Sequence, residues 1–129
     1  MYIVGGYIKT MAGPDIPDGC IRVEEGKIAQ IGSRKEVQPA PGPQEQVIDA
    51  TGSLVMPGII EAHCHMGITE EKKGMEGDDC NETVDPVTPY LRAIDAINTM
   101  DSAFDDAVRA GITSAMVGPG SSNVAGGQF

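Results

Sequence analysis

The chain has 129 residues and a formal net charge of -10, and this acidic balance disfavours nucleic acid as a partner because phosphate binding depends on basic side chains. Hydrophobic residues make up 40% of the sequence but aromatic residues only 4%, so a core would be mainly aliphatic. No apolar run approaches the roughly 18 residues of a membrane span, and the first residues lack the pattern of a secretion signal. We therefore expect a cytoplasmic globular protein without membrane contact.

The first 55 residues predict a small β-domain. Residues 2–10 and 20–32 have the pattern of strands, and the second stretch is divided by a turn at Glu25-Gly26. The proline-rich residues 39–43 cannot continue a sheet and predict a loop. A short strand is predicted over residues 47–50, before the chain reaches Pro57-Gly58.

Both histidines of the chain, His63 and His65, follow this Pro-Gly turn and a short apolar run. Side chains at i and i+2 of a β-strand point to the same face, so two imidazoles there can bind one ion. Neutral imidazole is the commonest metal ligand, and zinc accepts two such ligands while leaving room for others. On the same face, Glu61 is a candidate for orienting an imidazole by accepting its free N–H, and a bond to nearby backbone is its equally weighted alternative.

The three cysteines, Cys20, Cys64 and Cys80, form no Cys-x-x-Cys pair. An odd number argues against a disulfide framework, and reduced thiols are expected. Cys64 is expected to pack behind the strand that carries the histidines, whereas Cys80 falls in an acidic loop.

The segment after His65 is rich in glycine and charge and contains Asn81 and Glu82, which are candidates for contact with a substrate. Between Glu61 and Asp106 there are 12 acidic and three basic residues. A solvated loop is the favoured explanation of this excess, and the alternative is a field that attracts a metal ion or a cationic substrate.

A helix and a strand are predicted near the end of the chain. Asp101 is a suitable N-cap, Phe104, Ala107 and Val108 form one apolar face, and Gly111 fits the position just beyond the helix. Residues 112–117 predict a fully buried parallel strand. The order strand, loop, helix, strand favours a parallel sheet, and the Gly-Pro-Gly-Ser turn that follows lacks the lysine of a phosphate-binding loop.

The run from Ile48 to Gly58, followed by Ile59 to His65, resembles the signature that opens the barrel in the metal-dependent amidohydrolase superfamily. The likeness is greatest to the branch that contains imidazolonepropionase. The segments over residues 3–8, 26–32, 85–95 and 110–120 are similar to other parts of that family, so the resemblance covers essentially the whole chain.

This resemblance implies an α/β fold. Residues 1–55 would form the amino-terminal part of a composite β-sandwich domain, and residues 56–129 the first one or two βα units of a TIM-type barrel. A complete barrel needs about 250 residues, so we expect an amino-terminal fragment whose barrel is incomplete.

The resemblance also implies hydrolysis of a C–N bond in a cyclic amide, an amidine or a dipeptide-like amide, through a metal-activated water. His63 and His65 would bind the metal, expected to be zinc, with one or two ions in the complete enzyme. The general base would lie beyond Phe129, and the chain alone would be inactive and would self-associate or depend on the missing carboxyl-terminal part. The alternatives are a non-catalytic structural or assembly module and a small metal-binding module that uses both histidines with Cys80 or acidic residues.

Overall fold

The computed structural model describes residues 1–129 and divides them into two compact units, Met1–Pro57 and Gly58–Phe129. The division falls two residues after the boundary that the sequence predicted. Each unit contains its own sheet, so the chain is a mixed α/β structure, as expected. The assignment of the units to a sandwich domain and a barrel stays a prediction.

The first unit is built on one five-stranded sheet with the strand order β3-β2-β1-β4, and β5 also pairs with β1. Its strands are β1 (Tyr2–Ile8), β2 (Ile16–Glu24), β3 (Lys27–Ser33), β4 (Val47–Asp49) and β5 (Leu54–Val55). β2 runs antiparallel to β1 and β3, whereas β4 and β5 run parallel to β1. A sandwich needs two facing sheets, and residues 1–57 supply one.

The hairpin between β2 and β3 forms at the predicted position. Glu25 and Gly26 have φ angles of 49° and 73°, and two consecutive residues in this left-handed region are what a tight two-residue hairpin requires. The sheet buries Tyr2, Ile8 and Cys20 in the core of this unit. Residues 39–43 form a loop, as expected from their prolines.

A short helix that the sequence analysis did not predict, α1 (Arg34–Val37), follows β3 directly. Ser33 and Glu36 form a capping box at its start: the Ser33 hydroxyl accepts from the Glu36 N–H, and the Glu36 carboxylate accepts from the Ser33 N–H. This reciprocal pairing satisfies two backbone donors that a helix start otherwise leaves free.

The second unit contains two parallel strands, β6 (Ile59–Cys64) and β7 (Ile112–Val117). The connection between them includes two 3₁₀ turns, Gly74–Gly77 and Ala93–Asp95, and the helix α2 (Ser102–Arg109), which packs against β7. The predicted order of strand, loop, helix and parallel strand is therefore present. None of the helices has both the length and the apolar character needed to cross a membrane.

The ends of α2 are those expected from the sequence, but its packing differs. The Asp101 side chain accepts from the Ala103 N–H at the start of the helix, and Gly111 lies in the left-handed region with φ 87° just after it. Val108 was expected in the packed face, yet 70% of it is exposed. The expectation that residues 112–117 are fully buried is also wrong, because β7 pairs with β6 alone and only its two end residues are even partly buried.

The core of the second unit lies in the long connection. Ile68, Cys80 and Ala93 are buried together, and Ile97 and Val117 pack against them. Cys80 therefore contributes to a small apolar core although the surrounding sequence is acidic. This core anchors the long connection on β7, the strand that lies beside the histidine-bearing strand.

Candidate metal centre

The two histidines lie at the carboxyl end of β6. His63 is the penultimate residue of the strand, and His65 follows its last residue, Cys64. The centroids of the two imidazole rings are 5.3 Å apart, with an angle of 80° between the ring planes. His63 is exposed and His65 is half-buried, so the structure brings the predicted pair together at a surface that solvent can reach.

His65 is oriented by the end of the neighbouring strand. Its Nδ1 lies 2.7 Å from the carbonyl oxygen of Gly118, the residue that follows β7. A carbonyl oxygen can only accept, so the hydrogen must be on Nδ1, and in the neutral ring the Nε2 lone pair is then free to bind a metal. This is the hydrogen-bonding pattern that metal-ligating histidines generally show.

Glu61, the third residue expected on this face, bonds to the backbone. Its Oε1 accepts from the main-chain N–H of His63 at 3.0 Å, which is one of the two roles that the sequence left open. The Cys64 thiol between the histidines lies 3.6 Å from the main-chain oxygen of Met116 on β7. Both contacts fix the end of β6 without adding a ligand to the pair.

Asn81 and Glu82 lie in a different part of the second unit. They line a cavity of about 410 Å³ whose wall includes neither histidine. The Asn81 side-chain oxygen accepts from the Ser122 N–H at 3.1 Å, and the Glu82 main-chain oxygen accepts from the Asn123 side chain at 2.8 Å. These bonds tie the long connection to the turn after β7.

The wall of this cavity is acidic. Asp78, Asp79 and Glu82 contribute carboxylates, and the single basic side chain, Arg92, is paired with Asp95. The Arg92 guanidinium donates to Asp95 at 2.9 and 2.7 Å and holds the pKa of that carboxyl below its ordinary value. The positive charge of Arg92 therefore neutralises the negative charge of Asp95, and the other carboxylates in the cavity wall give this surface its negative charge.

The donor set at the histidine pair fits part of a metal site. Two imidazoles, one with its Nε2 lone pair free, are suitable zinc ligands. The structure contains no group of three or more His, Cys, Asp or Glu side chains placed to hold a metal ion. At such a site the pair would supply two of the four ligands that tetrahedral coordination uses.

Gly118 and Phe129 contact the pair but were not predicted as site residues. Gly118 was assigned only to the turn after the last strand, and its carbonyl meets a ring 53 positions away in the sequence. The Phe129 ring lies 5.9 Å from the His63 ring, between centroids. The available signal was the parallel pairing itself, which places the carboxyl ends of β6 and β7 side by side.

Two parallel strands, the first with a His-x-His pair at its carboxyl end and the second reached through a helix, form an α/β arrangement. Comparisons with known proteins agree. The curated protein named "Amidohydrolase tasK" of Hapsidospora irregularis is 33% identical over 112 residues, which cover 85% of this chain and 11% of that protein. The imidazolonepropionase of Solibacter usitatus is 42% identical over 50 residues, 39% of this chain and 12% of the relative.

Among solved structures, the amidohydrolase from Thermotoga maritima superposes with a TM-score of 0.83 at 33% identity, covering 98% of this chain and 31% of that chain. No protein-family profile matches the sequence. The chain belongs to the amidohydrolase superfamily, whose members are generally metal-dependent. It spans 11% to 31% of the length of these three relatives.

Proposed function

We propose that the chain forms the start of a metal-dependent amidohydrolase, in which His63 and His65 are two ligands of a catalytic divalent ion. The observation that carries this proposal is the placement of two imidazole rings 5.3 Å apart at the carboxyl end of a parallel strand. In TIM barrels the active site lies at this end of the strands. β6 and β7 would then be the first two barrel strands, and residues 1–57 part of the accompanying β-sandwich domain.

The chain's own groups present the ligand atoms. The Gly118 carbonyl holds His65 with Nε2 free, and the Glu61 carboxylate fixes the His63 backbone at the end of β6. When bound, a zinc or similar ion at such a site would supply a water whose pKa is lowered to about 7, and it would polarise a substrate carbonyl. The half-exposed position of the pair leaves solvent and a small molecule free to approach.

The reaction we propose is hydrolysis of a C–N bond in a small molecule such as a cyclic amide, an amidine or a dipeptide-like amide. The names of the relatives, amidohydrolase and imidazolonepropionase, support this class of chemistry. Asn81 and Glu82 remain candidates for substrate contact through the cavity that they line. No nucleic acid or membrane takes part in this proposal.

The remaining ligands and the general base would come from sequence beyond Phe129. Two observations support this assignment. Residues 1–129 place no third His, Cys, Asp or Glu side chain with the two imidazoles in a group that could hold a metal ion. The chain also spans only 11% to 31% of the length of the three relatives. We therefore expect the chain by itself to lack turnover and to bind zinc more weakly than an enzyme with a complete ligand set.

The test is zinc binding by the chain with both ligands removed. In the variant His63→Ala/His65→Ala we expect zinc affinity, measured by competition with a chromophoric chelator, to fall by more than about 100-fold, beyond the 10–100-fold effect of losing an orienting partner. Cys64→Ala is the matched control, since it changes the residue between the histidines and should leave affinity within about twofold if the imidazoles alone bind. Unchanged zinc affinity in the double variant would contradict the proposal.

A further inference from the structure

The histidine pair is held by two groups from the segments that follow β7. The Gly118 carbonyl oxygen lies 2.7 Å from His65 Nδ1, and the Phe129 ring lies 5.9 Å from the His63 ring with a tilt of 58°. These two groups also contact each other, because the Phe129 ring occupies the space where a side chain on Gly118 would be. Gly118 and Phe129 therefore contact each other, and each of them contacts one of the two imidazoles.

The two contacts have different effects on the imidazoles. The Gly118 carbonyl selects the tautomer of His65, because only a ring with hydrogen on Nδ1 can donate to it. The Phe129 ring makes a tilted aromatic contact with the His63 ring, with 5.9 Å between the centroids. The backbone N–H of Gly118 also donates to the Cys64 carbonyl at 3.1 Å, so Gly118 bonds to two consecutive residues, Cys64 at the end of β6 and His65 just after it.

We propose that Gly118 and Phe129 are positioning residues for the histidine pair: Gly118 fixes the Nδ1–H tautomer of His65, and Phe129 holds the His63 ring in the space that the glycine leaves open. The predicted effect on metal affinity rests on the proposed function, because it requires that the two histidines bind a metal. The structural content of the inference, the tautomer and the ring orientation, is independent of any metal.

The structure predicts which substitution disturbs which ring. In Gly118→Ala the added methyl overlaps the Phe129 ring, so we expect the two groups to move apart, the ring away from His63 and the carbonyl away from His65. Gly118 does not have a positive φ, and alanine is therefore compatible with its backbone. In Phe129→Ala the carbonyl contact stays, and only the support of His63 is lost. The double variant provides space for the methyl and should restore the His65 contact.

The experiment is nitrogen-15 NMR of the two imidazoles in the metal-free chain at about pH 8, above the ordinary histidine pKa of about 6.5. For the unmodified chain we expect His65 to carry its hydrogen on Nδ1. We expect a mixture of tautomers in Gly118→Ala, and recovery of the Nδ1–H form in Gly118→Ala/Phe129→Ala. In Phe129→Ala alone the His65 tautomer should not change. Gly13→Ala is the matched control, since a methyl there meets only the Thr10 hydroxyl at 3.9 Å.

Zinc affinity is the second measurement. We expect a loss of about 10–100-fold in Gly118→Ala, the usual effect of removing an orienting partner, with partial recovery in the double variant. An Nε2–H tautomer of His65 in the unmodified chain would overturn the inference. A double variant in which His65 does not regain the Nδ1–H tautomer would also overturn it. If Gly118→Ala does not fold, a changed His65 tautomer in Phe129→Ala would overturn it instead. The expected tautomers together with absent zinc binding would uphold the positioning of the rings and contradict the proposed function.

Discussion

At the scale of single residues, Tyr7, Lys9 and Asp15 form a polar cluster near the end of β1 that stabilises a surface carboxylate. Asp15 accepts from the Lys9 ammonium at 3.0 Å and from the Tyr7 hydroxyl at 2.9 Å. The hydrogen bond from Lys9 is the largest cause of a lowered Asp15 pKa, and the bond from Tyr7 is the second. The same contacts raise the pKa of Lys9 and of Tyr7.

We predict that Lys9→Met raises the pKa of Asp15 towards its ordinary value of 3.8. A carboxyl whose pKa is lowered by folding adds stability that is present above the ordinary pKa and is lost as pH falls through the lower folded value. The variant should therefore lose less stability between pH 4 and the acid limit than the unmodified chain. NMR titration of the Asp15 carboxyl carbon measures the shift, and Lys27→Met, at the start of β3, is the control. An Asp15 pKa that is equal in the two variants would contradict the assignment.

The histidine pair could be predicted from the sequence because its geometry is local. A spacing of two residues in a strand is enough to place His63 and His65 on one side. The contact between His65 and Gly118 could not be predicted from the sequence, because it joins residues 53 positions apart and depends on the register of β6 against β7. Glu61 illustrates the intermediate case, since its position was expected but its bond to the His63 N–H required the structure.

At the scale of elements, the start of α2 is joined to the long connection through one carboxylate. Asp101 is 8% exposed, and its side chain accepts from the Ala103 N–H at 3.2 Å and from the Glu71 N–H at 3.4 Å. The first bond caps the helix, and the second holds the segment after β6 against it. Asp101 thus links the long connection to α2, the helix that packs against β7.

We predict that Asp101→Ala lowers the free energy of unfolding by about 1–2 kcal/mol, the usual loss when an N-cap acceptor is removed. Asp101→Asn is the matched control, because an amide oxygen also caps a helix and should retain most of the stability. Urea unfolding followed by circular dichroism compares the variants. Equal midpoints for the alanine and asparagine variants would show that the cap contributes nothing measurable.

The elements that the sequence predicted correctly have strong local signals. The Glu25-Gly26 turn, the Asp101 cap and Gly111 after the helix each depend on a few adjacent residues. The helix α1 was missed although its Ser33 and Glu36 have the spacing of a capping box, since no apolar periodicity follows them. The burial of Val108 was predicted wrongly because periodicity defines a helix face but does not say what covers it.

At the scale of the whole molecule, each strand of the second sheet has only one partner, so each presents an unpaired edge. Apolar side chains on these strands are also exposed, with 72% of Ile60 and 53% of Met116 accessible to solvent. Unpaired edges and exposed apolar strands favour association with another chain or segment. The amidohydrolase relatives are several times longer than this chain, which is consistent with further strands covering these surfaces in a complete enzyme.

We therefore predict that the 129-residue chain self-associates and that Ile60→Lys weakens the association. Burial of an isoleucine contributes about 1.5–3 kcal/mol, so the dissociation constant should rise at least about tenfold, which corresponds to about 1.4 kcal/mol. Met75→Lys is the matched control, because it adds the same charge at a residue that is 96% exposed in a 3₁₀ turn away from both strands. Sedimentation velocity over a range of concentrations measures the change. A stable monomer of the unmodified chain would refute the prediction, and equal dissociation constants for the two lysine variants would show that association does not use the β6 face.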